Sequence, residues 1–472
     1  MHFSRIVLAI VSCSVVLNST LADAAAPPRT ALDDYVQKKD PAFAWRLVST
    51  QQEKGLTTYV LEVTSQTWRT TKDLDRPLWK HWVVIARPEG AKSNSALLLI
   101  GGGRNGRPAP DKADDRTRQL ALGTNSVVAT VGMTPNQPLS FVDGDNKPRV
   151  EDDLIAFCWN KFLQTEDPTW LPRLPMVTGA VRAMDAIVEC LGGLDQRPMK
   201  IKHFVVAGGS KRGWTTWLTG AVDPRVVAVI PIVIDVVNVK VSMTHHYEAY
   251  GFWAPAVGDY EHHKIMDQQE SPAYAKLLAL VDPYAYRHRL KMPKYMVNSS
   301  GDQFFLPDSS QFYFDDLLGE KYLRYVPNSD HGLGDTDALE SIGAFYLSIL
   351  AGQERPKFSW KADREAGSLF VKTMDRPKAV KLWQATNPEA RDFRLETIGK
   401  AWTSAPLSPS RGGVYLGRVS EPEEGWTAFF VELTYDSGGR FPFKFTTEVV
   451  VVPDVLPFKG KLETTAKAGA AN

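Results

Sequence analysis

The sequence predicts an α/β fold: a mostly parallel central sheet carrying a lid-like insertion, followed by a C-terminal β-sandwich-like domain. Three observations predict it. Short apolar runs alternate with helical segments between residues 96 and 350, and a strand passes through Gly208-Gly209-Ser210 directly into a helix. Beyond residue 356 the pattern changes to short strands separated by turn residues.

The elements follow in order. Met1–Arg5 is a short basic segment, Ile6–Leu17 is almost wholly apolar, and small residues surround Ala24 and Ala26. This is the layout of a signal peptide (1–24), which predicts export to the periplasm or the exterior. The apolar run is too short to span a bilayer comfortably, and no later segment reaches 18 apolar residues without charge, so no stable membrane insertion is expected after cleavage. Cleavage leaves two cysteines, Cys158 and Cys190. In an oxidising compartment they form either a disulfide or two buried thiols, and spacing does not decide between them.

Residues 27–355 form the first domain. Strands are expected at 57–64, 79–87, 96–100, 126–131, 201–207, 226–237, 294–299 and 322–326, and helices at 111–121, 151–163, 176–190, 309–318 and 337–350. The continuous apolar run Ala96–Ile100 suits a strand covered on both faces. Residues 238–292 interrupt the alternation and carry Tyr247, Trp253 and Tyr260, which suits a cap that contacts substrate. Residues 356–457 read as the β-sandwich-like accessory domain, with a hairpin turning at Asp436-Ser437-Gly438-Gly439. Residues 458–472 read as a disordered tail.

With 55 Lys+Arg against 54 Asp+Glu the formal charge is +1, so no global field recruits nucleic acid, and no basic run interleaved with aromatics appears. Cysteine spacing suggests no metal site, and nothing points to a cofactor.

Chemistry concentrates at three strand ends. Val205-Val206-Ala207-Gly208-Gly209-Ser210 is a strand leading to a serine on a sharp turn into a helix, the setting of an activated nucleophile. Arg212 stands where the usual Gly-x-Ser-x-Gly spacing has its second glycine, which falls instead at Gly213. Asp302 follows the strand 294–299, and His331 follows the strand 322–326. Ser, Asp, His is the chain order of the α/β-hydrolase triad, in which histidine takes the serine proton and the acid holds the imidazole. Asp235 is the alternative acid, and Asp330 is a weaker rival beside His331. The backbone N–H of Lys211 and those of Gly102 and Gly103 are candidates for the oxyanion hole. Lys211 and Arg212 suit either an acidic substrate or a salt-bridged helix start.

Several of these segments resemble the PhoPQ-activated pathogenicity-related protein family of exported bacterial proteins. The matching stretches include Gly209-Ser210-Lys211-Arg212-Gly213-Trp214-Thr215-Thr216-Trp217-Leu218, Asn136-Gln137-Pro138-Leu139, Pro327-Asn328-Ser329-Asp330-His331 and Trp383 to Arg394. The resemblance implies an α/β-hydrolase fold and names no substrate. The basic residue after the serine is also similar to the serine motif of glucuronoyl esterases, which admits a carbohydrate-linked ester. The expectation is therefore an exported serine hydrolase forming an acyl-enzyme, with esterase favoured over peptidase. Its substrate would be a small molecule, a carbohydrate ester or a peptide. The competing expectation is a catalytically silent secreted binding or signalling protein on the same scaffold.

Overall fold

The computed structural model describes residues 29–462, so the signal-peptide expectation lies outside the described residues. Its strands, in chain order, begin with β1 (Ala44–Glu53), β2 (Leu56–Thr67), β3 (Leu78–Pro88), β4 (Ser95–Ile100) and β5 (Val127–Val131). Next come β6 (His203–Gly209), β7 (Val226–Ile232), β8 (Lys294–Ser299) and β9 (Lys321–Val326). The C-terminal region adds β10 (Phe358–Asp363), β11 (Ser368–Thr373), β12 (Ala379–Asn387) and β13 (Thr403–Pro406). The last are β14 (Val414–Arg418), β15 (Trp426–Tyr435), β16 (Phe443–Thr446) and β17 (Val450–Val452).

Fourteen of these strands share one sheet, ordered β1-β2-β3-β5-β4-β6-β7-β8-β9-β16-β15-β12-β13, with β17 paired to β15. β1, β2, β3 and β5 are joined antiparallel, whereas the block β5-β4-β6-β7-β8-β9 is parallel throughout. Parallel neighbours need crossovers, and helices supply them on both faces. The strands show it directly: Phe204 and Val206 of β6 enter one core, and Val205 and Ala207 enter the other. Burial on both faces is why these strands read as unbroken apolar runs.

Several elements differ from expectation. β7 stops at Ile232 rather than continuing to 237, because Val233 turns to φ 43° and leads Asp235 off the sheet. In place of a helix over 309–318 there is only a single turn at Ser309–Phe312. There the Lys321 ammonium donates to the carbonyls of Phe314 (2.7 Å), Asp315 (2.9 Å) and Leu317 (3.0 Å), groups that a helix would have used itself. An unforeseen first helix, Ala31–Gln37, is set by a capping box between Thr30 and Asp33.

The C-terminal region is not a separate body. β16 pairs with β9 at Thr446 and Leu323, so β12, β13, β15, β16 and β17 extend the central sheet. The buried Arg324 of β9 seals this seam by pairing with Glu432 of β15 and with Asp337. The small sheet β10-β11-β14 lies against this extension, with Gly417 so close that an added Cβ would stand 2.9 Å from Val431 Cγ2. The layering is sandwich-like, but the main layer is the central sheet itself, because the turn signals near 356 end a helix without ending the sheet. Nor does the chain after residue 457 begin as a free tail. Phe458 N–H donates to Glu248 O at 2.9 Å, and its ring lies over Gly251. The residues after 462 lie outside the described part.

Cys158 and Cys190 are buried and free, on the helices Glu151–Thr165 and Arg173–Gly192. Burial raises both thiols, Cys190 to about 11, which keeps them protonated and unreactive while folded. The mature protein is expected to accept two alkyl groups in denaturant without reductant and none when native; a mass two hydrogens lighter with no labelling would instead report a disulfide. Among the described residues no helix is long and apolar enough to cross a membrane.

Candidate active site

Ser210 sits between β6 and the helix Lys211–Val222 at φ 56°, ψ −127°, a strained conformation for a residue with a side chain. Its N–H donates to Ile232 O at 2.8 Å and its carbonyl accepts from Trp214 N–H at 3.0 Å, so both flanks of the turn are pinned. The displaced glycine is now explained. A Cβ at Gly213 would stand 2.8 Å from Gly208 O and 3.0 Å from Ile232 O, and one at Gly208 would stand 2.7 Å from Arg212 O. These two positions carry the close approach, while Gly209 has nothing nearer than Val233 Cγ2 at 4.0 Å. Gly213→Ala is expected to cost about 1–3 kcal/mol of stability through overpacking against backbone, and Gly209→Ala much less. Thermal unfolding of the two variants checks this, and equal melting temperatures would contradict it.

Arg212 occupies the space beside Gly102, where an added Cβ would meet its Nη2 at 2.7 Å. Its Nε donates to Thr134 O at 2.7 Å and its Nη2 to Glu151 at 2.6 Å. Lys211 is buried, with its ammonium 2.9 Å from both Glu151 and Asp152. Of the two sequence alternatives for this basic pair, the structure shows the salt-bridged helix start. Burial works against the Glu151 charge, yet Arg212 and Lys211 outweigh it and hold the carboxyl down at about 2.

Asp302 and His331 meet as expected. His331 Nδ1 lies 2.8 Å from Asp302 Oδ2 and 3.0 Å from Oδ1, and the carboxylate is almost wholly buried. The Asp302 carboxylate also accepts from Phe304 N–H at 2.8 Å, and Gln303 Oε1 accepts from His331 N–H at 2.9 Å. With Nδ1 so engaged, Nε2 is the free ring nitrogen; it is buried and has no hydrogen-bond partner among the described residues. The imidazole lies against Phe304, ring centroids 4.4 Å apart, and Phe304 and Phe305 line the same cavity as Ser210.

The alternative acid, Asp235, is committed elsewhere: its two oxygens accept from Tyr313 OH at 2.5 Å and Tyr325 OH at 2.6 Å. Burial pushes its carboxyl up to about 7 despite these two donors. Parallel pairing sets Ile100 of β4 beside Gly208 of β6, so the glycines 101–103 leave β4 at the same end of the sheet at which Ser210 leaves β6. Gly103, at φ +142°, holds a backbone in which a Cβ would stand 3.2 Å from Met133 N. The Lys211 N–H opens a helix and so lacks an intrahelical partner.

Ser210 lines a narrow cavity of about 50 Å³. The insertion supplies one wall, including Val239, Met243, Tyr260 and Tyr274. Tyr260 therefore lines it, its hydroxyl donating to Asp152 at 3.1 Å. Tyr247 and Trp253 do not line this cavity; their rings pack against each other at a tilt of 54°, centroids 5.0 Å apart. Sequence reasoning missed Glu151, Asp152, Arg173 and Gln303. The acidic run Glu151-Asp152-Asp153 passes as an ordinary acidic first helical turn. Its signal was the need of two adjacent buried cations for carboxylates. Among the described residues no three His, Cys, Asp or Glu side chains gather as metal ligands.

Comparison with known proteins follows this geometry. The model of the family described as PhoPQ-activated pathogenicity-related protein matches residues 32–394. The chain is 39% identical over 457 residues to the autocrine proliferation repressor protein A of Dictyostelium discoideum, covering 91% of this chain and 92% of that protein. Among solved structures it is similar to an acetyl xylan esterase from Paenibacillus sp. R4 (13% identity, 67% of this chain and 92% of that one, TM-score 0.48). It is also similar to a glucuronoyl esterase from Solibacter usitatus (14%, 67% and 88%, TM-score 0.40).

Proposed function

The chain belongs to the PhoPQ-activated pathogenicity-related protein family, and on that premise we propose that it is an exported serine hydrolase. Ser210 attacks an acyl carbon as His331 Nε2 takes its proton. Asp302 holds the Nδ1–H tautomer and stabilises the imidazolium. The Lys211 N–H and those of Gly102 and Gly103 receive the developing oxyanion. The leaving group departs with the proton from His331, and water then releases the acyl group by the same steps reversed.

The observation that carries this reading is the two-oxygen contact of buried Asp302 with His331 Nδ1, just past the ends of two strands of the same parallel block that leads to the strained Ser210. A histidine kept only for packing has no need of a carboxylate that fixes its tautomer and leaves Nε2 bare. Esters are favoured over amides as substrates, among small acyl or carbohydrate-linked esters or peptides. Export rests on the basic, apolar and small-residue succession of residues 1–26. A fluorophosphonate probe tests the reading: the purified mature protein should take one label, on Ser210.

One finding favours a second reading, the name of the relative from Dictyostelium discoideum as an autocrine proliferation repressor. In that reading this chain is a secreted signalling protein whose site is silent, and it predicts no label at all.

A further inference from the structure

Among the described residues at this site, Arg173 is the cation with no carboxylate in contact; Asp152 and Glu151 act on its charge only from a distance. The helix Arg173–Gly192 begins with it, its side chain lines the Ser210 cavity, and it is 1% exposed. Its Nη1 donates to the Lys211 carbonyl at 2.9 Å, whereas its Nε has no hydrogen-bond partner among the described residues. No ion pair within 4 Å forms to it there either. The Trp214 ring lies under the guanidinium, 4.5 Å from centroid to Cζ, and supplies only a partial counter-charge. Charge accounting leads to the same residue. Around the site stand Lys211, Arg212 and Arg173, against Glu151 and Asp152. Both carboxylates are spent on Lys211 and Arg212, and Asp152 also accepts from Tyr260. The rest of the cavity wall is apolar or aromatic. Burial holds Arg173 down at about 10, so it remains cationic at neutral pH. A buried, unpaired guanidinium costs free energy that a ligand anion would return.

We propose that this cavity is an anion subsite: the part of the substrate that enters it beside Ser210 carries a carboxylate, which pairs with the Arg173 guanidinium. The apolar wall accommodates the carbon chain that connects this carboxylate to the scissile ester. The proposal rests on the hydrolase reading for its chemistry, but not for its binding.

Two measurements test it. The first compares kcat/KM within matched ester pairs, one pair per side of the scissile bond. The 4-nitrophenyl monoester of glutarate is set against 4-nitrophenyl hexanoate, and the acetyl ester of 4-hydroxybutyrate against pentyl acetate. In one pair the charged member should win by roughly 10- to 100-fold, the size of a charge-assisted contact. Arg173→Met should erase that preference, bringing the kcat/KM of the charged ester to that of its neutral partner. Arg173→Lys, which keeps the charge, should restore part of it. The second measures binding of glutarate and of its neutral diamide, pentanediamide, to Ser210→Ala by calorimetry, with no turnover and an intact Arg173. Glutarate should bind at least tenfold more tightly.

Hydrolysis without a charge preference in either pair overturns the anion subsite and leaves the hydrolase reading standing. Glutarate binding without any hydrolysis does the reverse. Equal binding of glutarate and its diamide, or a preference that survives Arg173→Met, also overturns the proposal.

Discussion

Replacing Ser210 by alanine is expected to lower ester hydrolysis by roughly a millionfold, the scale on which serine triads fail when the nucleophile is lost. Folding should be little affected. The hydrogen bonds that pin the turn use the backbone of Ser210, not its hydroxyl. Alanine retains a Cβ, so it inherits the φ 56° strain rather than adding to it. The measurement pairs turnover and probe labelling with a melting curve. Undiminished labelling of a well-folded Ser210→Ala protein would remove the serine from the mechanism.

The second large effect separates the two acids. Asp302→Asn should cost about 10⁴ in kcat, because the amide no longer enforces the Nδ1–H tautomer. Asp235→Asn should leave turnover within a few-fold, since its carboxylate serves Tyr313 and Tyr325. Stability reverses the contrast. The Asp235 carboxyl is raised from 3.8 to about 7 in the folded protein. Between those values the unfolded chain binds fewer protons than the folded one, so its contribution falls as pH rises from about 4 to 7 and then levels off. The melting temperature of Asp235→Asn relative to the parent should therefore climb across that window and be flat above about pH 8. A relative melting temperature that falls over the same range would contradict the buried acid described here.

The sequence exposed the parallel core well because strands covered on both faces advertise themselves as apolar runs. It also placed Ser210, Asp302 and His331, since residues just past strand ends are countable from the strands themselves. β1 escaped because its faces are largely exposed and its residues polar. The continuity of the sheet escaped for another reason. A change from helical to purely β patterning near residue 356 resembles a domain border, and only the pairing of β16 with β9 reveals that none is crossed. Arg173 was illegible because one arginine at a helix start is ordinary until its neighbours are known to have spent their carboxylates.

That seam reaches the chemistry. Leu395 N–H donates to Gly301 O at 3.0 Å, next to Asp302, and Asn328 is tied to Trp402 through both its side-chain oxygen and its side-chain nitrogen, three residues before His331. The loops of the acid and the base are thus anchored by segments that follow the hydrolase core in the chain. During synthesis, the triad geometry would have to wait for residues near 400 to leave the ribosome. A chain cut after residue 355 would carry Ser210, Asp302 and His331 and still lack the scaffold that ties down the loops of the last two.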